Sequence, residues 1–211
     1  FWDAGIATIP HTGDWFPRAE LRIQHDAPQL LFRVRPAPPL HRSIVLRTHA
    51  GRDPRTVTAV KGPDLEAMTR LRTEAQAVGA DDAVILSPDG EVVEGSTTSL
   101  CWWRDDTLCI PDAAFARVDS VTLRTLQTLA AATGVDVAEE RARPEDLDGL
   151  EVWAVNALHG IRIVTGWVDG PSTAEQPGRF AAWEARLEAL RRPLPPAPVP
   201  APTPNATEDA L

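Results

Sequence analysis

Tyrosine is absent from these 211 residues, lysine occurs once against twenty arginines, and there are two cysteines and one methionine. Each shortage excludes something. Cys101 and Cys109 alone, with no close histidine pair, leave no set with the spacing of a zinc site, so no metal is expected. The two cysteines fall on strands expected to pair. A disulfide is one option there; two buried thiols in a reducing cytoplasm is the reading adopted. No apolar run approaches the roughly 18 residues of a membrane span, and no basic segment leads into an apolar one as in a signal peptide. A net charge of −9 excludes a general nucleic-acid binder, which needs a basic face for phosphates. Aromatic pocket roles that tyrosine plays elsewhere fall to tryptophan or are missing. The expectation is a cytoplasmic chain of one to two domains, with no membrane and no nucleic-acid partner.

What is present is well punctuated. Residues 1–17 read as a helix end and a loop. Alternating or β-branched runs at Glu20–His25, Gln29–Arg35 and Ser43–Thr48 predict three strands in a meander. A polar stretch, 49–55, reads as a linker. Thr56–Val60 is a short β-branched run that ends at Lys61. Leu65, Met68, Leu71, Ala75 and Val78 keep the spacing of one helix face, closed by Gly79. A hairpin series follows over 83–110, with Ser87-Pro-Asp-Gly90 as a turn. Helices are predicted over 121–133, with Asp119 or Ser120 as N-cap, over 144–147 and over 180–191. Strands are predicted over 151–155 and 161–168. From Pro193 the chain is proline-rich and reads as an extended tail, and Asn205-Ala206-Thr207 is taken as a chance glycosylation match.

Three features carry chemistry. Lys61, the lone lysine, stands between a strand-like run and Gly62-Pro63-Asp64. An amine so held can condense with an aldehyde. Glu94 ends an apolar run at a Gly-Ser-Thr-Thr-Ser break, where a carboxylate can hold a proton on a heterocyclic nitrogen. Ser120-Val121-Thr122 opens a helix whose free N–H groups suit a phosphate. Taken singly, each has a simpler role as surface charge, turn residue or helix cap. Taken together, amine, acid and anion cradle are what pyridoxal 5'-phosphate asks of a protein.

The order Lys61, Gly79-Ala80-Asp81-Asp82-Ala83, Asp89-Gly90, Glu94-Gly95-Ser96-Thr97, Leu108-Cys109-Ile110-Pro111, Val121-Thr122, Asn156-Ala157-Leu158 resembles the class IV aminotransferases, the fold-type IV pyridoxal phosphate enzymes. The resemblance spans about residues 56–168. It implies an α+β (mixed α/β) fold of two domains: a partial small domain at 1–48, the linker at 49–55, a cofactor domain at 56–192 and the tail at 193–211. It implies pyridoxal 5'-phosphate as cofactor, with Lys61 as the Schiff-base lysine and proton shuttle, and Glu94 as the acid at the pyridine nitrogen. Val121 and Thr122 correspond to phosphate binders, and Asn156 and Ala157 to a phosphate- or substrate-binding turn. It also implies a homodimer acting on an amino acid by transamination. The Asn-Ala-Leu form of the turn is nearer to the 4-amino-4-deoxychorismate lyases, which release pyruvate and p-aminobenzoate. Two departures stand out. The family's upstream phosphate-binding arginine has no counterpart among Arg18, Arg22, Arg33 and Arg35, and Asp119-Ser120 replaces a frequent Pro-Gly. With Phe1-Trp2 opening the chain, the expectation is that part of the small domain is missing. A relative that no longer holds the cofactor is the competing expectation.

Overall fold

The computed structural model describes residues 1–196; the rest of the expected tail, including Asn205, lies outside them. By its internal contacts the chain divides into Leu40–Arg191 and a smaller unit that contains Phe1–Pro39.

In the smaller unit a short helix, α1 (Trp2–Ile6), precedes an antiparallel hairpin of β1 (Arg18–Gln24) and β2 (Ala27–Arg33). Glu20 gathers Arg18, Arg22 and Arg33 around its carboxylate, at 3.0, 2.7 and 3.3 Å. The expected three-strand meander stops at two strands. β3 (Ser43–Thr48) belongs instead to the larger unit, where it pairs in parallel with strands from far along the chain. Its apolar run Ile44-Val45-Leu46 marked it as a strand, but nothing local could reveal its partners.

The larger unit is built on one eight-stranded mixed sheet. After β3 come α2 (Leu65–Gln76), β4 (Asp82–Leu86), β5 (Val92–Gly95), β6 (Ser99–Arg104), β7 (Thr107–Pro111), α3 (Val121–Thr133), β8 (Val137–Glu140), β9 (Glu151–Asn156), β10 (Gly160–Val168) and α4 (Arg179–Glu188). A 3-10 turn at Pro144–Leu147 is the expected short helix. The spatial order is β5-β4-β3-β10-β9-β6-β7-β8. The sheet curls until its ends meet: Val92 N–H on β5 donates to the carbonyl of Ala142, just past β8, at 2.8 Å.

Curling gives the sheet an inside and an outside. Ile44, Leu46, Val84, Leu100, Trp102, Ala154 and Val164 fill the inside. Outside, α3 and α4 lay Leu123, Leu126, Phe180 and Trp183 against Trp103, Trp153 and Ile163. Trp103, Trp153 and Trp183 meet edge to face, with centroids 5.2–5.9 Å apart. α2 seats Leu71 and Ala75 on Ala83 and Ile85. Removing each leucine, isoleucine, valine or phenylalanine among these from water contributes roughly 1.5–3 kcal/mol. The helix stripes are narrower than their spacing suggests. Leu65, Val78, Val121 and Leu190 are exposed, because each sits at or beyond a helix end, past the reach of the sheet.

The cysteines follow from the same geometry. Cys109 stands opposite Trp102, and Cys101 opposite Trp153. The two thiols therefore point to opposite faces of the sheet, one inside and one outside. Both are free and buried.

Candidate active site

Glu94 reaches the end of β5 with 4% of its surface exposed. A register shift between Ile85 and Leu86 pairs Glu94 with Ile85, a residue of the α2 side. The carboxylate is not alone there. Arg55 Nη1 makes an ion pair with Oε1, and Val118 N–H donates to the same oxygen at 3.1 Å. No donor among the described residues meets Oε2. Burial pushes the Glu94 carboxyl above its usual range, while Arg55, the Val118 N–H and Arg117 pull it back.

Arg55 was not foreseen. It lies in the stretch read as linker, and one arginine among twenty gives no signal. Its side chain is 5% exposed, and it holds Asp53 through Nε at 2.9 Å and Nη2 at 2.7 Å. These acids push the guanidinium further up. Arg55 also donates to the Thr58 carbonyl at 3.4 Å, so it fastens the start of the Lys61 loop to Glu94.

The loop itself corrects an expectation. Thr56–Val60 forms no strand. Asp64 accepts from Thr56 Oγ1 and from the Val57 N–H, both at 2.9 Å, and Val60 N–H turns back to the Val57 carbonyl at 3.2 Å. These local bonds compete with a ladder, and the β-branched side chains of Val57 and Val60 stay exposed. Lys61 is exposed on this loop, directly after Val60. It joins the Glu94 cluster only through the loop that Arg55 and Asp64 fasten.

Behind Glu94 the hydroxyl-rich break is organised by Asp82, which is fully buried. It accepts from Ser96 Oγ, from Thr97 N at 3.2 Å and Oγ1 at 3.0 Å, and from Thr98 Oγ1 at 2.8 Å. Gly95 has no room for a side chain, since a Cβ would come within 2.8 Å of Asp82 Oδ2. The Asp81-Asp82 pair stood in the motif order, which was the available signal for this role. Thr97 leads on to the turn after β9: its carbonyl accepts from Asn156 Nδ2 at 3.4 Å. Asn156 Oδ1 in turn accepts from the Leu158 and His159 N–H groups at 3.1 and 2.9 Å. Asn156 thus shapes the turn that carries Ala157.

At α3, Ser120 is the N-cap and accepts from Leu123 N at 3.3 Å. Val121 and Thr122 open the helix, with Val121 exposed. Val118, two residues before the cap, is the one bonded to Glu94, so the helix start and the acid are held together. Glu94, Val118–Thr122 and Asn156–Ala157 therefore belong to one connected region.

The description Amino-transferase class IV matches residues 17–167. This chain belongs to the class IV aminotransferase family. A probable branched-chain-amino-acid aminotransferase of Rickettsia felis is 34% identical over 77 residues, 36% of this chain and 26% of that protein. A branched-chain aminotransferase of Thermoproteus uzoniensis, solved with norvaline, superposes with a TM-score of 0.69 at 21% identity, over 81% of this chain and 63% of its own. A putative 4-amino-4-deoxychorismate lyase of Legionella pneumophila does so with a TM-score of 0.69 at 19% identity, over 76% and 62%. The match thus spans about a quarter of the curated relative and less than two thirds of the solved ones. The mixed, curled sheet is the fold of that family.

The residues of the class IV aminotransferase region suit pyridoxal phosphate in their chemistry. Among the described residues a buried carboxylate is bonded through one oxygen, the segment that leads into α3 is bonded to it at Val118, and the chain's lone lysine lies on the loop tied to it.

Proposed function

We propose that this chain carries the cofactor domain of a pyridoxal-phosphate-dependent aminotransferase acting on an amino acid, in a cytoplasmic homodimer. The observation that carries the reading is Glu94: buried, bonded among the described residues through Oε1 alone, and tied by Arg55 to the loop that bears Lys61.

Lys61 would hold the cofactor covalently, Glu94 Oε2 would take the hydrogen bond from its ring nitrogen, and Val121 and Thr122, with the Asn156–Ala157 turn, would receive its phosphate. When bound, pyridoxal phosphate supplies a ring that takes up the electron pair left as an amino acid loses its α-proton. Arg55 and the Val118 N–H fix the plane of the Glu94 carboxylate through Oε1, which orients Oε2. Burial favours a shared proton at Oε2, and Arg55 opposes full protonation of the acid. With the cofactor bound, the Lys61 amine would be the group that takes the α-proton and returns it.

A lyase reading is favoured by the Asn156-Ala157-Leu158 turn. Amino-acceptor dependence separates the two, since transamination requires a 2-oxo acid for turnover and pyruvate release from aminodeoxychorismate does not.

The test is the visible absorption spectrum of the purified chain with pyridoxal phosphate, followed by borohydride reduction and peptide mapping. The expected result is a lysine-dependent band, trapped on Lys61 and absent from Lys61→Ala. A folded chain with no such band overturns the proposal and points to a relative that does not hold the cofactor.

A further inference from the structure

Asp82 opens β4 opposite Leu46 of β3, with no exposed surface. A buried carboxylate is costly unless its oxygens are filled. Three consecutive hydroxyl residues fill them here: Ser96 Oγ bonds Oδ1, while Thr97 N–H, Thr97 Oγ1 and Thr98 Oγ1 bond Oδ2. The Ala83 N–H adds a bond to Oδ1 at 3.0 Å. The Asp82 charge also acts on Arg162 of β10, which is 7% exposed and whose Nε has no partner among the described residues. A turn between two strands is closed by its main chain alone, and that bond is present: Gly95 N–H donates to the Thr98 carbonyl at 2.8 Å. Four further bonds from Ser96–Thr98 to one carboxylate exceed what the turn requires.

The carboxylate stands between two parts of the candidate site. On one side Gly95 lies against it, and the residue before Gly95 is Glu94. On the other side Thr97 gives its N–H and hydroxyl to Asp82 and its carbonyl to Asn156 Nδ2, at 3.4 Å. Asn156 Oδ1 then fixes the Leu158 and His159 N–H groups. Thr97 thus passes the position set by Asp82 on to the turn after β9.

We propose that Asp82 is a positioning residue: it locks the Gly95–Thr98 break so that Glu94 and the Asn156–Ala157 turn keep a fixed separation. Its use in catalysis rests on the cofactor reading, in which these two elements hold opposite ends of one ligand, the ring nitrogen and the phosphate. Asp82 acts through the groups that hold those ends, by fixing the backbone that carries them.

Two measurements test it. The first needs no ligand: amide hydrogen exchange of the purified chain, wild type against Asp82→Asn, which keeps the shape and one acceptor oxygen. Exchange is expected to quicken about tenfold, the worth of one hydrogen bond, at Leu158 and His159 as well as at Thr97, with α3 unchanged. Thr98→Val removes one donor and keeps the shape; it gives the same pattern more weakly, and replaces Asp82→Asn if that variant does not fold. A change confined to Gly95–Thr98 overturns the proposal. The second is the Kd of pyridoxal phosphate and of pyridoxal, read by tryptophan fluorescence. Only a ligand that spans both elements senses their separation, so Asp82→Asn weakens pyridoxal phosphate about tenfold and pyridoxal, which lacks the phosphate, far less. Leu108→Ala, a core truncation on β7, lowers Tm without changing that ratio. Equal weakening of the two ligands by Asp82→Asn marks Asp82 as structural only and overturns the proposal. A wild type that binds neither ligand overturns the cofactor reading by itself, and the exchange pattern then still decides whether Asp82 couples the two elements.

Discussion

Arg55 and Arg162 are both almost wholly buried, and they differ in everything else. Arg55 spends its nitrogens on Asp53, Glu94 and the Thr58 carbonyl. Among the described residues Arg162 meets no carboxylate within bonding distance, and its Nε is unpartnered. The first charge is a strut that fixes the Lys61 loop to the acid. The second is a charge that the fold buries without an acceptor at Nε among the described residues. Burial alone therefore says nothing about what an arginine does; its acceptors decide.

The sharpest way to break this comparison is to turn Arg55 into a second Arg162. Glu94→Ala removes its deepest acceptor and should cost about 3 kcal/mol, the lower end for one partner of a buried pair because Asp53 remains. Urea unfolding measures it. The double variant Arg55→Met/Glu94→Met should recover most of that loss, since neither charge is then stranded. A double variant as unstable as Glu94→Ala would show that the pair acts through packing rather than charge.

A smaller effect is expected from His159. Its folded pKa, about 4, lies below the ordinary 6.5, so the unfolded chain binds the proton more readily between those values. Its contribution to stability is complete above about pH 6.5 and declines as the pH falls towards 4. The difference in urea midpoint between wild type and His159→Gln, followed from pH 7.5 to 4.5, isolates this slope. Arg162→Met should move the His159 titration upwards by NMR, because one of the charges that holds it down is gone. The smallest effect belongs to Lys61→Ala. An exposed loop residue should change stability by no more than about 0.5 kcal/mol, even where cofactor capture is abolished.

Much of this fold was legible. α2 and α3 announced themselves by apolar spacing and by Gly79 and Gly134, and the turn at Ser87–Gly90 by its residue types. What stayed hidden was long-range. β3 pairs with β4 and β10 across many intervening residues, and β8, only Val137–Glu140, shows too little apolar alternation to stand out. The Thr56–Val60 run had strand propensity without a strand partner, and Asp64 claimed its donors. Within the candidate site, the break after Glu94 and the start of α3 were readable as structure, because each is chemically marked. Arg55 was not, because its role exists only once β5 brings Glu94 to it.

The two cysteines offer one more use of this architecture. Cys101 is sealed between the sheet and its outer helices, and Cys109 inside the curl, with burial holding both thiols up in pKa. A thiol reagent can reach neither without local opening. Alkylation rates read by mass spectrometry on the two peptides would therefore act as two clocks, one for each core, and show whether the helices lift from the sheet before the curl comes undone.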